Sequence, residues 1–254
     1  MNIRKITLFF GIILTTMFCP AQNIVIEYEL LPVKEVQDYD NVKLQKELEK
    51  SKRELGKKTE EIIGFCPVEL NNFIPQSPLT NFLADAAVAI GDQYCHDNGL
   101  DSVDFAVLNN GGIRTSLPAG NITIGNLYEV SPFENYIVIA EIKGSDVIKL
   151  FKRFTIKNCA PTSRQVNISY IGDYVHEILL QGKTINPEKT YRMVTLDFIA
   201  NGGDDILKDI EIRNVVHTGI IGRNGYINYI KELNAKGQAI TAKIDDRVKI
   251  IPQP

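Results

Sequence analysis

The sequence predicts an α+β (mixed α/β) fold: a single domain with a mixed β-sheet flanked by helices, preceded by a linker-type helix. Three observations carry that reading. Apolar runs of strand length recur at 103–108, 137–142 and 191–196. A helical-period apolar face runs through Leu79, Phe82, Leu83, Ala86, Ala87, Ile90 and Tyr94. Helices and strands then follow one another without the strict alternation of parallel βαβ units. Of its 254 residues, those left after removal of a leader can bury one sizeable core or two small ones.

Residues 1–21 have the make-up of an export signal. Arg4 and Lys5 form a charged head, residues 6–18 an apolar middle, and Cys19-Pro20-Ala21 a small-residue end. The apolar run is too short to span a membrane, so cleavage after Ala21 is expected to yield an exported, periplasmic or secreted protein. Cys19 leaves lipid anchoring as an alternative, although Phe18 stands where such sites want a small residue. Removing Arg4 and Lys5 moves the formal charge from −3 to −5. That balance offers no electrostatic footprint for nucleic acid or an anionic membrane.

Residues 22–58 read as an N-terminal extension and linker-type helix, and 59–254 as the domain proper. Ile24, Val25 and Ile26 make a short extended segment. Over 41–55, Leu44, Leu48 and Leu55 form one narrow stripe among lysines and glutamates, with Gly56 expected as the C-cap. Such a helix has little to bury and suits a surface or a bridge between two bodies. Ser77-Pro78 supplies an N-cap and a first-turn proline for the next helix. Strands are expected at 103–108, 137–142, 166–171, 175–180, 191–196 and 248–251, with Gly182-Lys183 as a turn. Helices are expected over 146–154 and near 225–236. Cys66, Cys95 and Cys159 make no CxxC pair and no metal-ligand spacing, so they read as buried small hydrophobes, with one bridge between an unspecified pair as the alternative in an oxidising compartment.

The chemistry centres on Asn109-Asn110-Gly111-Gly112-Ile113-Arg114. An apolar strand that stops at two asparagines and two glycines is made to turn sharply, with no Cβ between backbone and anything approaching it. Asn109 offers a donor and an acceptor, and Arg114 a planar fork of donors. Alone, this reads as a tight turn with a surface arginine. Three further blocks change the balance: Ser77-Pro78-Leu79-Thr80-Asn81-Phe82-Leu83-Ala84-Asp85-Ala86, Val130-Ser131-Pro132-Phe133-Glu134-Asn135, and Asp197-Phe198-Ile199-Ala200-Asn201-Gly202-Gly203-Asp204.

In order, the four blocks resemble the LGNLIADA, NGGGIR, LPFGN and NDFLANGGDG motifs of the 5′-nucleotidase C-terminal domain family, over a region from about residue 43 to 248. The resemblance implies a domain that holds the nucleoside part of a nucleotide, with the base between two aromatic rings, here Phe133 and Phe198. It implies that Asp204 accepts hydrogen bonds from ribose hydroxyls, that Arg114 donates to the same region, and that Asn109 meets a base nitrogen. Gly111, Gly112, Gly202 and Gly203 would let the backbone approach the ligand. Alternatives stand beside these roles: either phenylalanine as core, Asp204 and Arg114 as a mutual pair, Asp205 in place of Asp204.

The chain departs from the family pattern in two places. Family members often carry an arginine just before the first block, where Asn72-Phe73-Ile74-Pro75-Gln76 stands here. The GGDG run is Gly203-Asp204-Asp205, which adds a negative charge. Complete 5′-nucleotidases also carry a two-metal phosphatase domain. His96, His176 and His217 are scattered and lack the DxH, GNHD/GNHE and GHxH patterns, and Asp92, His96 and Asp97 only echo them. No nucleophile elbow, P-loop or dinucleotide fingerprint occurs either. The expectation is a nucleotide-recognition unit, without catalytic residues, metal or cofactor of its own. It would work with a separate metallophosphatase chain, on which the divalent metals are expected. The alternatives are a nucleoside-binding module with no hydrolytic role, and a relative that has lost binding.

Overall fold

The computed structural model describes residues 42–252. The export signal and the segment at 23–28 lie outside them. One compact unit takes in Lys46–Pro254; the preceding unit, Met1–Gln45, is described only in the first turn of a helix. The α+β class holds, and the strands are shared among three sheets.

Helix α1 (Val42–Thr59) runs straight through Gly56, which is therefore not its C-cap. The chain instead keeps helical bonding past it: Thr59 Oγ1 and the Glu60 N–H both donate to the Gly56 carbonyl, at 3.1 and 2.9 Å. The side chains of Leu44, Leu48 and Leu55 lie outside the described residues. Strand β1 (Ile62–Cys66) pairs antiparallel with β3 (Gly120–Thr123) as a separate ribbon. Helix α2 (Pro78–Asp97) begins where its cap residues dictate. Ser77 Oγ accepts from the Thr80 N–H while Thr80 Oγ1 accepts from the Ser77 N–H, a reciprocal capping box. The buried face of α2 includes Leu79, Phe82, Leu83, Ala86 and Ala87.

The expected mixed sheet has the order β2-β8-β4-β9, from β2 (Phe105–Ala106), β4 (Tyr136–Lys143), β8 (Thr190–Leu196) and β9 (Ile212–Ile221). Strand β2 is parallel to β8, and β4 is antiparallel to both β8 and β9. Formal β2 pairing is shorter than the apolar run at 103–108. That run is buried at all but Asp104, and its backbone divides its bonds between β8 and the 160–163 loop. The sequence does not announce strand β9, since its register slips against β4 and Asn214 and Gly219 take positive φ, which spoils the alternation. Helix α3 (Ile124–Val130) follows β3 and α4 (Gly144–Lys152) follows β4. A second sheet, β10-β5-β6-β7, combines β5 (Val166–Ile171), β6 (Tyr174–Leu180), β7 (Lys183–Thr184) and β10 (Val248–Ile251). Helix α5 (Asp197–Ala200) follows β8, and α6 (Gly222–Ala235) follows β9 and packs on α2.

Cys66, Cys95 and Cys159 are buried, as the sequence predicts, and none of them forms a disulfide. Burial raises all three thiols, Cys159 to about 11, so they stay neutral. No helix among the described residues is long and apolar enough to cross a membrane.

The C-terminal strand is moored by Arg247, only 3% exposed. Its guanidinium donates to both carboxylates of Asp85 (3.2 and 3.0 Å) and Asp245 (2.8 and 2.8 Å), and to the Thr162 carbonyl at 2.9 Å. Burial pushes the Asp245 carboxyl up, but hydrogen bonds and charge from Arg247, with Gln76, outweigh it and hold Asp245 below its ordinary value. A group depressed in the folded state stabilises above its unfolded pKa, about 3.9, and loses that contribution as pH falls through the folded value. Arg247→Met removes the buried cation from two partly buried carboxylates, leaving them Gln76 and Arg164, and should cost on the order of 3 kcal/mol at pH 7. In urea melts the gap to wild type should narrow below about pH 4; a gap independent of pH there would deny Asp245 this role.

Candidate functional site

Pairing in the main sheet sends three segments to one edge. Because β2 is parallel to β8 and β4 antiparallel to it, the ends of β2 and β8 and the start of β4 lie together, with Ile137 opposite Leu196. Beyond β2 stands Asn109, then a 3₁₀ turn over Asn110–Gly112. Beyond β8 comes α5 with Phe198, then a 3₁₀ turn over Gly203–Asp205. Just before β4 stand Pro132, Phe133, Glu134 and Asn135.

One hydrogen bond joins the first two segments. Buried Asn109 donates through Nδ2 to Asp204 Oδ2 at 2.7 Å, across 95 residues of sequence. The acceptor loop is bent to reach it: Gly202 has φ +94°, and Asp204 and Asp205 have φ +54° and +53°, the left-handed region that side chains seldom adopt. Asn109 Oδ1 is buried with no partner among the described residues, an acceptor left open. Its orientation rests on the assignment of the amide, which the short contact to Asp204 supports. A Cβ at Gly112 would sit 2.8 Å from that oxygen, and a Cβ at Gly203 would sit 2.4 Å from the Phe198 ring. A side chain at either position would force Asn109 or Phe198 to move.

Phe133 and Phe198 are 46% and 43% exposed, so neither is core. Phe133 lines a narrow pocket with Asn109, Gly112, Ser131, Asn135 and Tyr226. Phe198 lies instead against Gly203, on the Asp204 side. Asp197 ties the two aromatic segments together: its Oδ1 accepts from the Tyr136 N–H at 2.9 Å and the Phe198 N–H at 2.8 Å. Arg114 is exposed and turns its Nη1 back to the Gly111 carbonyl at 3.3 Å, so it makes no pair with Asp204. Asp205 points its peptide, not its charge, at a neighbour: Arg153 Nη2 donates to the Asp205 carbonyl at 3.4 Å.

Sequence reasoning missed Asp197 and Asn135 although both stand inside the quoted blocks. Nothing in the sequence marks Asp197 as a bridge, because its partner Tyr136 lies 61 residues away. The stretch where an arginine is absent does lie beside the site, since Asn72 Nδ2 donates to the Ile113 carbonyl at 3.0 Å. No group of three or more His, Cys, Asp or Glu able to hold a metal occurs among the described residues. The three histidines are exposed and apart, His96 only touching its neighbour Asp97 at 3.2 Å. The donor set does not fit a two-metal centre.

Comparison with known proteins follows the same lines. A 38% identical relative, Protein UshA of Yersinia enterocolitica, aligns over 133 residues, 51% of this chain and 24% of its own length. The trifunctional nucleotide phosphoesterase protein YfkN of Bacillus subtilis is 26% identical over 245 residues, 89% of this chain and 16% of its own length. The chain thus spans a quarter or less of these relatives. Among solved structures, the 5′-nucleotidase precursor of Thermus thermophilus superposes with TM-score 0.64 at 24% identity, over 84% of this chain and 44% of that one. NAD nucleotidase of Haemophilus influenzae gives 0.61 at 19% identity, over 84% and 42%. At such identities these two establish the fold alone. The model of the family described as 5′-nucleotidase, C-terminal domain, matches residues 56–209, more than half of the sequence. The chain belongs to the 5′-nucleotidase C-terminal domain family.

Proposed function

We propose that this chain recognises the nucleoside part of a nucleotide for a 5′-nucleotidase-type hydrolase, after export to the periplasm or cell exterior. The observation that carries the reading is the Asn109–Asp204 hydrogen bond at 2.7 Å, which couples two glycine turns at the edge where both half-exposed phenylalanines stand. Phe133 and Phe198 offer ring faces to a base, a contact that tolerates different bases. With Oδ2 of Asp204 held by Asn109, the carboxylate is oriented and retains lone pairs for ribose hydroxyls. Asn109 Oδ1 is left to accept from a donor on the base. Gly111, Gly112 and Gly203 keep the backbone bare beside these groups, and Arg114 adds a cation at the rim.

Hydrolysis itself belongs elsewhere in this proposal. A two-metal centre that activates water is supplied by a metallophosphatase unit, and this chain binds, orients and positions what that unit cleaves. No metal or cofactor is assigned to the chain. The competing reading, a nucleoside-binding module without a hydrolytic role, predicts the same binding and a different effect on catalysis.

Phe198→Ala should weaken adenosine binding by about 1–3 kcal/mol, the usual loss of one stacking face. Its melting temperature should stay near that of wild type, because the ring is half exposed; a variant that melts far lower would make Phe198 a core residue. The purified chain alone should not turn over AMP with Mg²⁺, Mn²⁺, Zn²⁺ or Co²⁺. EDTA-sensitive turnover by the homogeneous chain would contradict that.

Added to a metallophosphatase chain that lacks this domain, the protein should raise kcat/KM for AMP far more than for a base-free phosphate ester. Asp204→Ala should remove most of the gain while the two chains still associate. Equal gains for both esters, or none, would favour the binding module.

A further inference from the structure

Beneath the turn that carries Phe133, the first turn of α6 directs a guanidinium into the protein. Arg223 is only 3% exposed. Its Nη1 donates to the Pro132 carbonyl at 2.8 Å, with the Ser131 and Phe133 carbonyls at 3.3 and 3.4 Å. Nη2 faces Glu134 Oε1 at 3.6 Å, and the guanidinium carbon lies 4.0 Å from the centroid of the Tyr128 ring. Nε is buried with no partner among the described residues.

A charge taken out of water is costly unless polar groups surround it. Here Glu134 contributes little, since its side chain is 75% exposed and water screens the pair. The carbonyls and the Tyr128 face remain the chief compensation. The arrangement is also one-sided: three successive carbonyls curl around a single nitrogen, and those of Pro132 and Phe133 have no other donor among the described residues. The ends of the turn are tied separately, by the Ser131 N–H to the Leu127 carbonyl and by the Gly222 N–H to the Asn135 carbonyl, at 2.9 and 2.8 Å. Between those ties, among the described residues, the carbonyls of the backbone that presents the Phe133 ring take hydrogen bonds only from Arg223. Lysine could replace the charge and one donor, but neither the planar fork nor the stacking surface.

We propose that Arg223 is a positioning residue for base recognition: it fixes the backbone of residues 131–133 so that Phe133 offers its ring in one orientation. The inference rests on the nucleoside reading above. A ring held in place before binding loses less freedom when a base stacks on it, so Arg223 acts on affinity through Phe133 without touching the ligand.

The sequence contains no tryptophan, so Phe133→Trp supplies a single indole as reporter. Anisotropy, thermal melting, and affinity for adenosine and for ribose 5-phosphate are then measured in that parent and with Arg223→Met or Arg223→Lys added. The Met variant should lower the anisotropy and weaken adenosine binding about fivefold or more, the low end of one stacking contact. Affinity for ribose 5-phosphate should hold, and Lys should restore part of both losses. Unchanged anisotropy overturns the proposal, whether or not the melting temperature falls. Equal losses for both ligands overturn it as well. If the Met variant does not fold, the Lys variant decides, and anisotropy equal to the parent's overturns the proposal. If wild type binds no nucleoside, the reading of the site fails and the base-recognition role falls with it. The anisotropy still decides whether Arg223 holds the turn.

Discussion

The pairing of β8 with its two neighbours is the constraint on which the rest of this structure depends. Its ladder with β4 runs unbroken from Ile137 opposite Leu196 to Lys143 opposite Thr190, and its other edge takes β2 in parallel. Most of these residues are buried, so the backbone groups have no water to turn to and the register is held by both hydrogen bonding and side-chain burial. A one-residue slip would exchange Ile137 and Ile139 for the smaller Val138 and Ala140 on the opposite, equally buried face. Because the register is fixed, so is the meeting of three chain segments at one edge. The candidate site is a consequence of strand direction before it is a consequence of any side chain.

What stands at that edge is less comfortable than the core beneath it. Asp204 and Asp205 hold positive φ, Asn109 carries an acceptor without a partner among the described residues, and Phe133 and Phe198 leave nearly half their surface in water. Each feature works against stability, and all stand together at the candidate site. The supports are solvent-exposed contacts beside the turns. Asp197 binds two backbone N–H groups from different segments, and Lys149 and Arg153, on and just after α4, donate to the Asp209 and Lys208 carbonyls. The turns are therefore exposed at their tips and anchored at their bases.

The departures from the family pattern acquire a place in this arrangement. The segment Asn72-Phe73-Ile74-Pro75-Gln76 reaches the site through Asn72, but brings exposed Phe73 and Ile74 and no cation. The added carboxylate of Asp205 is exposed beside Asp204. Arg114 is thus the cation of the glycine turn itself, while Arg153 approaches the second turn only through main-chain carbonyls. The rim thus combines two exposed carboxylates with exposed apolar side chains, which under the proposed function bears on the charge state of ligand it would accept.

Much of this was legible in the sequence because it is local. Ser77 and Thr80 announce the start of α2 within four residues, since a cap bonds only to its own first turn. The apolar runs that became β4 and β8 could be read from a single window, and so could the need for glycine at turns where a Cβ has no room. The motif order identified the family, which the match over residues 56–209 bears out. Other elements were illegible for equally physical reasons. Strand β9 is broken by bulges, β1 and β3 are short and depend on partners distant in sequence, and α1 passes through a glycine that looked like its end. Pairing order, strand direction and the Asn109–Asp204 contact across 95 residues belong to the tertiary structure alone. A short window encodes which conformation a segment prefers; which segment it meets is decided by burial and loop closure over the whole chain.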